Sequence, residues 1–205
     1  MSKMDIINFK MNNKYKEDLI RSNILKHIDV TESEWDIFFG LVEFKTFKKG
    51  EYLLKYGEVC NFHGFINKGF LRTFFLDQKG NVVNLVFHTE DWWFGDIGSY
   101  VTLTPSKLNT IAMENTEAFI LSSESLEILF EKIPKFERFF RILNQRTNAA
   151  LMNRYIDDLT IPAKERYYKF MQARTNILNR VSLQHIASFL GMTKEYLSKI
   201  RSEKL

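Results

Sequence analysis

Apolar residues recur along the chain with two different periods, and each period predicts a different type of secondary structure. Near the start they fall at helical spacing, at Leu19, Ile20, Leu25 and Ile28. Thr31 and Glu34 then have the spacing of a capping box ahead of a second amphipathic run. These patterns predict an N-terminal arm and helix over residues 1–30, followed by a helix that begins near Thr31.

The period changes to two in the middle of the chain, where short runs rich in Phe, Val and Ile are separated by turn signals. In the segment NVVNLVFH, Val83, Leu85 and Phe87 occupy one face of a predicted strand. The turn signals are Lys49-Gly50, Tyr56-Gly57, Lys68-Gly69, Lys79-Gly80 and Glu114-Asn115. Turns at this frequency favour an antiparallel sandwich or barrel over strand–helix–strand units. We therefore predict an α+β protein with an antiparallel β-roll, of jelly-roll type, over residues 31–130.

A long helix is predicted after the strand-rich region, over residues 131–160. The run KFERFFRILNQRTNAALMNRYIDDL carries a stripe at alternating steps of three and four: Phe136, Phe140, Leu143, Thr147, Ala150 and Arg154. An amphipathic helix of this length must bury such a stripe. We favour pairing with the same helix of a second subunit, so that the chain forms a homodimer. Packing of the stripe against its own domain is the alternative.

The segment LQHIASFLGMTKEYLSKIR near the end of the chain predicts two short helices with a glycine between them. Ser182 is placed to cap the first helix, Gly191 can end it in the left-handed conformation, and Thr193 can cap the second. The small Ala187 lies where the helices cross, and a shared apolar face is predicted for Ile186, Leu190, Met192, Leu197 and Ile200. This spacing is that of a helix-turn-helix, here a domain over residues 161–205.

Composition and charge narrow the class of protein. The 45% hydrophobic and 26% charged residues are typical of a folded globular chain. No apolar run approaches the roughly 20 residues that cross a bilayer, and the polar start lacks a signal-peptide core. We therefore expect a cytoplasmic protein with no membrane contact. Cys60, the single cysteine, excludes an intramolecular disulfide and a cysteine-held metal site.

Basic residues concentrate in the C-terminal third. Residues 138–205 hold 13 Lys and Arg against five Asp and Glu, a net charge of +8, whereas residues 1–137 carry −4. Such asymmetry indicates that this third binds a polyanion, although a basic solvated face is the plainer explanation. Together with the helix-turn-helix it predicts binding to double-stranded DNA.

The predicted second helix presents polar side chains that could contact DNA. Base edges would be read by Lys194, Glu195, Ser198 and Lys199, and phosphates would be held by Gln184, Thr193 and Arg201. One short helix reads few base pairs, so we expect a dimer on a two-fold site with half-sites about 34 Å apart.

The whole pattern resembles the Crp/Fnr family of bacterial transcription regulators. The resemblance covers roughly residues 25–205 and rests on FKKGEYLLKYGEVCNFHGFINKGFLRTFF, on FGDIGSY and on LQHIASFLGMTKEYLSKIR. It implies a homodimer whose long helices pair, with an effector pocket in a β-roll sensor domain that shifts the DNA-binding domains. RNA polymerase is a further candidate partner. Compared with the family, the wing that follows the second helix is expected to be short or absent.

Departures from the family pattern bear on the effector. Cyclic-nucleotide-binding relatives have a glutamate where this chain has Asp96, and an arginine that clamps the cyclic phosphate where it has Leu108. The neighbouring Lys107 should point the opposite way along a strand. Without a bidentate guanidinium the phosphate loses its strongest contacts, so we expect no tight binding of cyclic AMP or GMP. Residues of a candidate pocket for an unknown effector are Trp93, Phe94, Gly95, Asp96 and Lys107, although the aromatic ones among them could instead belong to the core.

Two other functions compete with DNA recognition. A β-roll metalloenzyme of the cupin type needs a His-x-His pair with further ligands, and His27, His63, His88 and His185 do not have that arrangement. His63 and His88 could meet as metal or haem ligands, but structural roles are the simpler interpretation. A signalling module that acts through a partner protein should present apolar outward positions on its last helix. We therefore expect a protein that is not an enzyme and that needs no metal or cofactor.

Overall fold

The computed structural model describes residues 17–203 and contains two four-stranded antiparallel sheets. The strands are β1 (Glu43–Phe47), β2 (Tyr52–Leu54), β3 (Phe62–Lys68), β4 (Leu71–Leu76), β5 (Val82–His88), β6 (Trp93–Phe94), β7 (Asn109–Ala112) and β8 (Thr116–Ser122). One sheet has the order β1-β8-β3-β6 and the other β2-β7-β4-β5. Buried apolar side chains from both sheets form one cluster between them, with Ile66, Leu71, Phe94, Ala112 and Ala118 at its centre. The predicted α+β fold with an antiparallel roll is confirmed.

Helices precede and follow the strands of the roll in the sequence, and one short helix lies between β6 and β7. They are α1 (17–25), α2 (Glu32–Leu41), α3 (Ile97–Thr102), α4 (Ser123–Lys132), α5 (Lys135–Thr160), α6 (Ala163–Ala173), α7 (Leu183–Phe189) and α8 (Lys194–Ser202). Thr31 and Glu34 make both hydrogen bonds of the predicted capping box at the start of α2. The predicted arm over the first dozen residues lies outside the described residues.

The close approach of two strands requires glycine at one of the predicted turns. Gly69 has φ +112, and a Cβ there would lie 2.4 Å from the hydroxyl of Thr116. That hydroxyl instead accepts a hydrogen bond from the backbone N–H of Phe70 at 3.3 Å. A larger residue at Gly69 would separate the end of β3 from the start of β8.

The largest core lies outside the roll, where helices α1, α2, α4 and the first turns of α5 cover the first sheet. Its fully buried side chains include Ile20, Ile24, Phe38, Leu129, Phe136 and Phe139. Phe38 and Phe136 stack with ring centroids 5.2 Å apart, and Phe119 reaches this core from β8. The first turns of α5 therefore share one core with the N-terminal helices and the first sheet.

The stripe predicted for α5 packs within the chain at both ends. Phe136 and Phe140 are buried in the helical core, and Leu143 packs against it. At the other end, the Arg154 guanidinium donates to the backbone carbonyls of Leu85 and Phe189. The alternative left open for this face, packing on its own domain, thus applies at these positions. A different face is exposed and apolar near the C-terminal end of α5, at Leu151, Met152, Tyr155, Ile156 and Leu159.

The C-terminal helices dock on the second sheet. Helix α7 lies against β5, and one buried cluster joins Phe70 and Phe87 of the roll to Ile186, Leu190 and Leu197 of the last helices. A β-bulge at residue 85 interrupts the pairing of β4 and β5, because Thr73 faces Val86 while Phe74 faces Asn84. The bulge turns Asn84 toward α7, and Asn84 is 1% exposed.

Candidate nucleic-acid interface

The last two helices have the local geometry of a helix-turn-helix. The Ser182 hydroxyl accepts from the backbone N–H of His185, and the Thr193 hydroxyl accepts from that of Tyr196 at 3.1 Å. Gly191 lies between the helices with φ +66, the left-handed conformation that ends α7. All three local predictions are therefore confirmed.

The shared face of the two helices is buried as the spacing predicts. Ile186, Leu190, Leu197 and Ile200 are at most 6% exposed, and Met192 is half-buried. Ala187, at 1% exposed, leaves room for the crossing helix. Helix α8 is therefore held by one side only, and the other side is available to a ligand.

The side chains predicted to contact DNA all lie on the exposed surface. This holds for the base-reading set Lys194, Glu195, Ser198 and Lys199, and for the phosphate set Gln184, Thr193 and Arg201. Tyr196, which the sequence analysis did not select, is also 46% exposed on α8. Helical spacing from Leu197 and Ile200 places it beside the polar face, and this spacing could have identified it from the sequence.

Hydrogen bonds fix α7 to the edge of the roll. The Asn84 side-chain amide donates to the backbone carbonyl of His185 at 3.0 Å, and the Ser188 hydroxyl donates to that of Val82 at 2.7 Å. The Arg72 guanidinium donates to the Asn84 side-chain carbonyl at 2.8 Å. Burial, followed by the charge of Arg72, lowers the pKa of His185. A neutral His185 ring therefore faces Arg72 across this contact.

Arg180 supplies the ion pairs of the same contact. Its guanidinium binds Glu90 at 2.9 and 3.0 Å and Glu114 at 2.5 and 3.3 Å, and it lies 5.0 Å from the Phe70 ring centroid. Burial alone would raise the pKa of Glu90, but the hydrogen bonds from Arg180 and from backbone N–H groups, together with the charge of Arg180, hold that pKa below its ordinary value. The segment that leads into α7 is thereby tied to two loops of the roll.

The five residues of the predicted effector pocket do not share one environment in the structure. Trp93 donates its indole N–H to Asn23 of α1 and packs against Phe139, whereas Phe94 is buried over Gly64 inside the roll. Lys107 is exposed in the loop before β7. The two aromatic rings thus have core roles.

Asp96 satisfies its carboxylate within the chain. One oxygen accepts from the backbone N–H of Ser99 and so caps α3, and the other accepts from the Ser106 hydroxyl at 2.6 Å. Ser99 in turn accepts from the backbone N–H of Cys60 at 2.9 Å, and Gly95 stands beside this network with φ +156. The Cys60 thiol is buried, and burial raises its pKa.

The two central histidines have separate environments. His63 lies among the rings of Tyr100 and Phe140, whereas His88 bonds to the Thr73 hydroxyl at 3.0 Å. Burial lowers the pKa of each to about 4. Within residues 17–203 no group of three or more His, Cys, Asp or Glu side chains could hold a metal ion. No helix in that part of the chain is long and apolar enough to span a bilayer.

Comparison with known proteins agrees with this architecture. The family model described as "Cyclic nucleotide-binding domain" matches residues 44–132, which run from β1 to the end of α4. The c-di-GMP-responsive global regulator CLP of Xanthomonas campestris superposes with a TM-score of 0.69 at 12% identity, over 85% of this chain and 91% of that chain. The chain has the Crp/Fnr fold.

Two further structures share the Crp/Fnr fold with this chain. FixK2 of Bradyrhizobium japonicum has a TM-score of 0.65 at 20% identity, over 79% of this chain and 83% of that one. A protein of Eubacterium rectale described as a Crp/Fnr-family regulator has a TM-score of 0.66 at 16% identity, over 85% and 83%. No curated protein matches the chain. The predicted resemblance is confirmed for the fold, and the cupin-type alternative is not favoured.

Proposed function

We propose that this Crp/Fnr-type chain is a DNA-binding transcription regulator and not an enzyme. The observation that carries the proposal is α8, whose buried side packs on α7 while its opposite side exposes Lys194, Ser198 and Lys199. In the major groove these groups meet base edges, and the net charge of +8 over residues 138–205 attracts the phosphates. A protein-binding module would need an apolar outward face on this helix instead.

Homodimerisation through α5 belongs to the same proposal. Leu151, Met152, Tyr155, Ile156 and Leu159 are 50–69% exposed, at steps of one and three that place them on one side of the helix. Exposed apolar residues in such a row are typical of a helix–helix interface. Two copies paired along this face would present two α8 helices to a two-fold DNA site, with RNA polymerase as a further candidate partner.

The proposed regulator does not use cyclic AMP or GMP as a tight ligand. Asp96 and Ser106 bind each other, and the loop position where relatives carry an arginine holds Leu108. A cyclic phosphate placed there would meet the Asp96 carboxylate with no guanidinium to offset it. Calorimetric titration with cyclic AMP should therefore give no tight binding.

Selection of bound fragments from a random duplex pool tests the main proposal. The expected product is a two-fold symmetric sequence with half-site centres about 34 Å apart. Its affinity should fall linearly on a logarithmic salt scale because phosphate contacts release counterions. Failure to retain any duplex at low ionic strength would refute DNA recognition, and selection of an asymmetric single site would refute the dimeric arrangement.

A further inference from the structure

A cleft of about 340 Å³ opens between α3, α4 and α5 beside strand β3. Its wall is aromatic, formed by Tyr100, Phe130 and Phe140, and the Phe130 and Phe140 rings meet edge to face at 5.7 Å. The volume is at the lower end of the range of small-molecule sites. Helix α3 borders the cleft through Ile97, Tyr100 and Val101. Asp96, which caps the same helix and binds Ser106, is not among the residues that line the cleft.

His63 contributes a buried polar group to the aromatic wall of the cleft. The side chain is 6% exposed, and its ring lies 4.7 Å from that of Tyr100 and 5.2 Å from that of Phe140. Burial lowers its pKa to about 4, so the imidazole is neutral at pH 7 and keeps one nitrogen as an acceptor. Within residues 17–203 the His63 imidazole has no side-chain or backbone hydrogen-bond partner. Since buried polar groups usually have a partner, this ring is able to accept a hydrogen bond from a group in the cleft.

The charge of the cleft is acidic. Glu127 and Glu137 stand exposed at its mouth, and no lysine or arginine is among the described residues that line it. Burial, followed by the charge of Glu127, raises the pKa of the Tyr100 phenol. Two carboxylates next to aromatic faces attract a cation through direct charge and through the ring quadrupoles. The same lining disfavours an anion such as a nucleotide.

We propose that this cleft binds a small organic cation, an ammonium group carried on an apolar body with a hydrogen-bond donor at its far end. The ammonium lies at the mouth between Glu127 and Glu137 and against the Tyr100 ring. The apolar body fills the space beside Phe130 and Phe140, and the donor reaches the acceptor nitrogen of His63. A bound molecule would contact both α3, which follows strand β6 of the roll, and α5, the long helix.

Three probes of similar size separate these contributions in calorimetric titrations of the full chain. Tyramine carries the ammonium and a phenolic donor, phenethylamine lacks the donor, and 3-(4-hydroxyphenyl)propionate carries a carboxylate in place of the ammonium. Tyramine should bind best, phenethylamine less well, and the propionate should give no saturable heat. The order follows from the acidic mouth and the His63 acceptor.

Matched variants locate the site. Glu127→Gln combined with Glu137→Gln should weaken tyramine binding roughly three- to tenfold, since each partly exposed pair contributes little in water. Glu131→Gln, on the same helix but outside the cleft lining, is the control and should leave binding unchanged. His63→Phe keeps an aromatic ring and should remove the advantage of tyramine over phenethylamine. Thermal melts of each variant verify folding.

The proposal fails if neither amine binds, if the propionate binds as well as tyramine, or if Glu131→Gln weakens binding as much as the double variant. These measurements use the protein without DNA. Their outcome is therefore separate from the proposed role in DNA recognition, which the duplex selection tests alone.

Discussion

Lys194 and Lys199 extend from the exposed side of α8, and no carboxylate within residues 17–203 lies at ion-pair distance from either ammonium. Neither ammonium group therefore forms an ion pair that stabilises the fold. Thr193 differs, because its hydroxyl caps α8 and so has a structural role as well as its predicted phosphate contact. The lysines offer the clearest test of how α8 meets DNA.

Replacing Lys199 with alanine should weaken binding to the selected duplex by about 1–3 kcal/mol and relax the base preference at one position, as expected for a lysine that donates to guanine. Fluorescence anisotropy on the selected sequence and on single-base variants measures both effects. Lys49→Ala, in an exposed turn of the roll, is the matched control and should change neither. An equal loss on every sequence, with a shallower salt dependence, would assign Lys199 to phosphate instead.

Residue positions that depend on local chemistry could be predicted from the sequence, and those that depend on distant partners could not. Ser182, Gly191 and Thr193 act within a few residues of themselves, so spacing was sufficient. Trp93 was a candidate for the effector pocket, with a core position as the alternative. Its indole instead binds Asn23, a residue 70 positions away, which no local pattern indicates.

At the scale of the element, the sequence predicted helix α5 correctly but predicted its contacts only in part. The predicted span of residues 131–160 contains the observed Lys135–Thr160. The stripe predicted by spacing ends at Arg154, whose guanidinium contacts the roll and α7. The exposed apolar face is separated from that stripe by roughly a third of a turn around the helix. Periodicity finds an amphipathic helix but does not distinguish an internal contact from a dimer contact.

Replacing Met152 with aspartate should dissociate the proposed dimer, because a carboxylate would be buried in the apolar face that includes Tyr155 and Leu159. Light scattering should then report the mass of one chain at concentrations where the parent protein has the mass of two. Asn153→Asp adds the same charge on an exposed position of the same helix outside that face and should leave the dimer intact. An unchanged mass for Met152→Asp would place the subunit interface elsewhere.

At the scale of the whole molecule, the C-terminal helices and the roll share one buried cluster across β5 and α7. The alternation of Val83, Leu85 and Phe87 correctly predicted a strand, but the bulge at Leu85 and the cover of α7 bury Asn84 as well. The position of Asn84 is determined by Ser188 and His185, about 100 residues later in the chain. Strand and helix could be predicted separately, whereas their contact depends on tertiary packing.

Arg180 holds this contact through ion pairs with Glu90 and Glu114, and all three side chains are partly exposed. Replacing Arg180 with alanine should lower the free energy of unfolding by roughly 1–2 kcal/mol, a value that allows for solvent screening. The larger effect should be local, because Glu90 and Glu114 would then face each other without a cation. Amide hydrogen exchange in α7 should accelerate, while exchange in the core around Phe38 and Phe136 stays unchanged.

Two comparison variants test whether loss of the Arg180 ion pairs is what accelerates amide exchange in α7. Arg180→Lys keeps a charge but cannot bind both carboxylates in the same planar geometry, so it should fall between the parent protein and Arg180→Ala. Lys79→Ala, in the exposed turn before β5, removes a charge without touching the contact and should leave exchange in α7 unchanged. If Arg180→Ala leaves the α7 amides as protected as before, the buried cluster alone holds helices α7 and α8 on the roll. The ion pairs would then contribute little to the arrangement of the molecule.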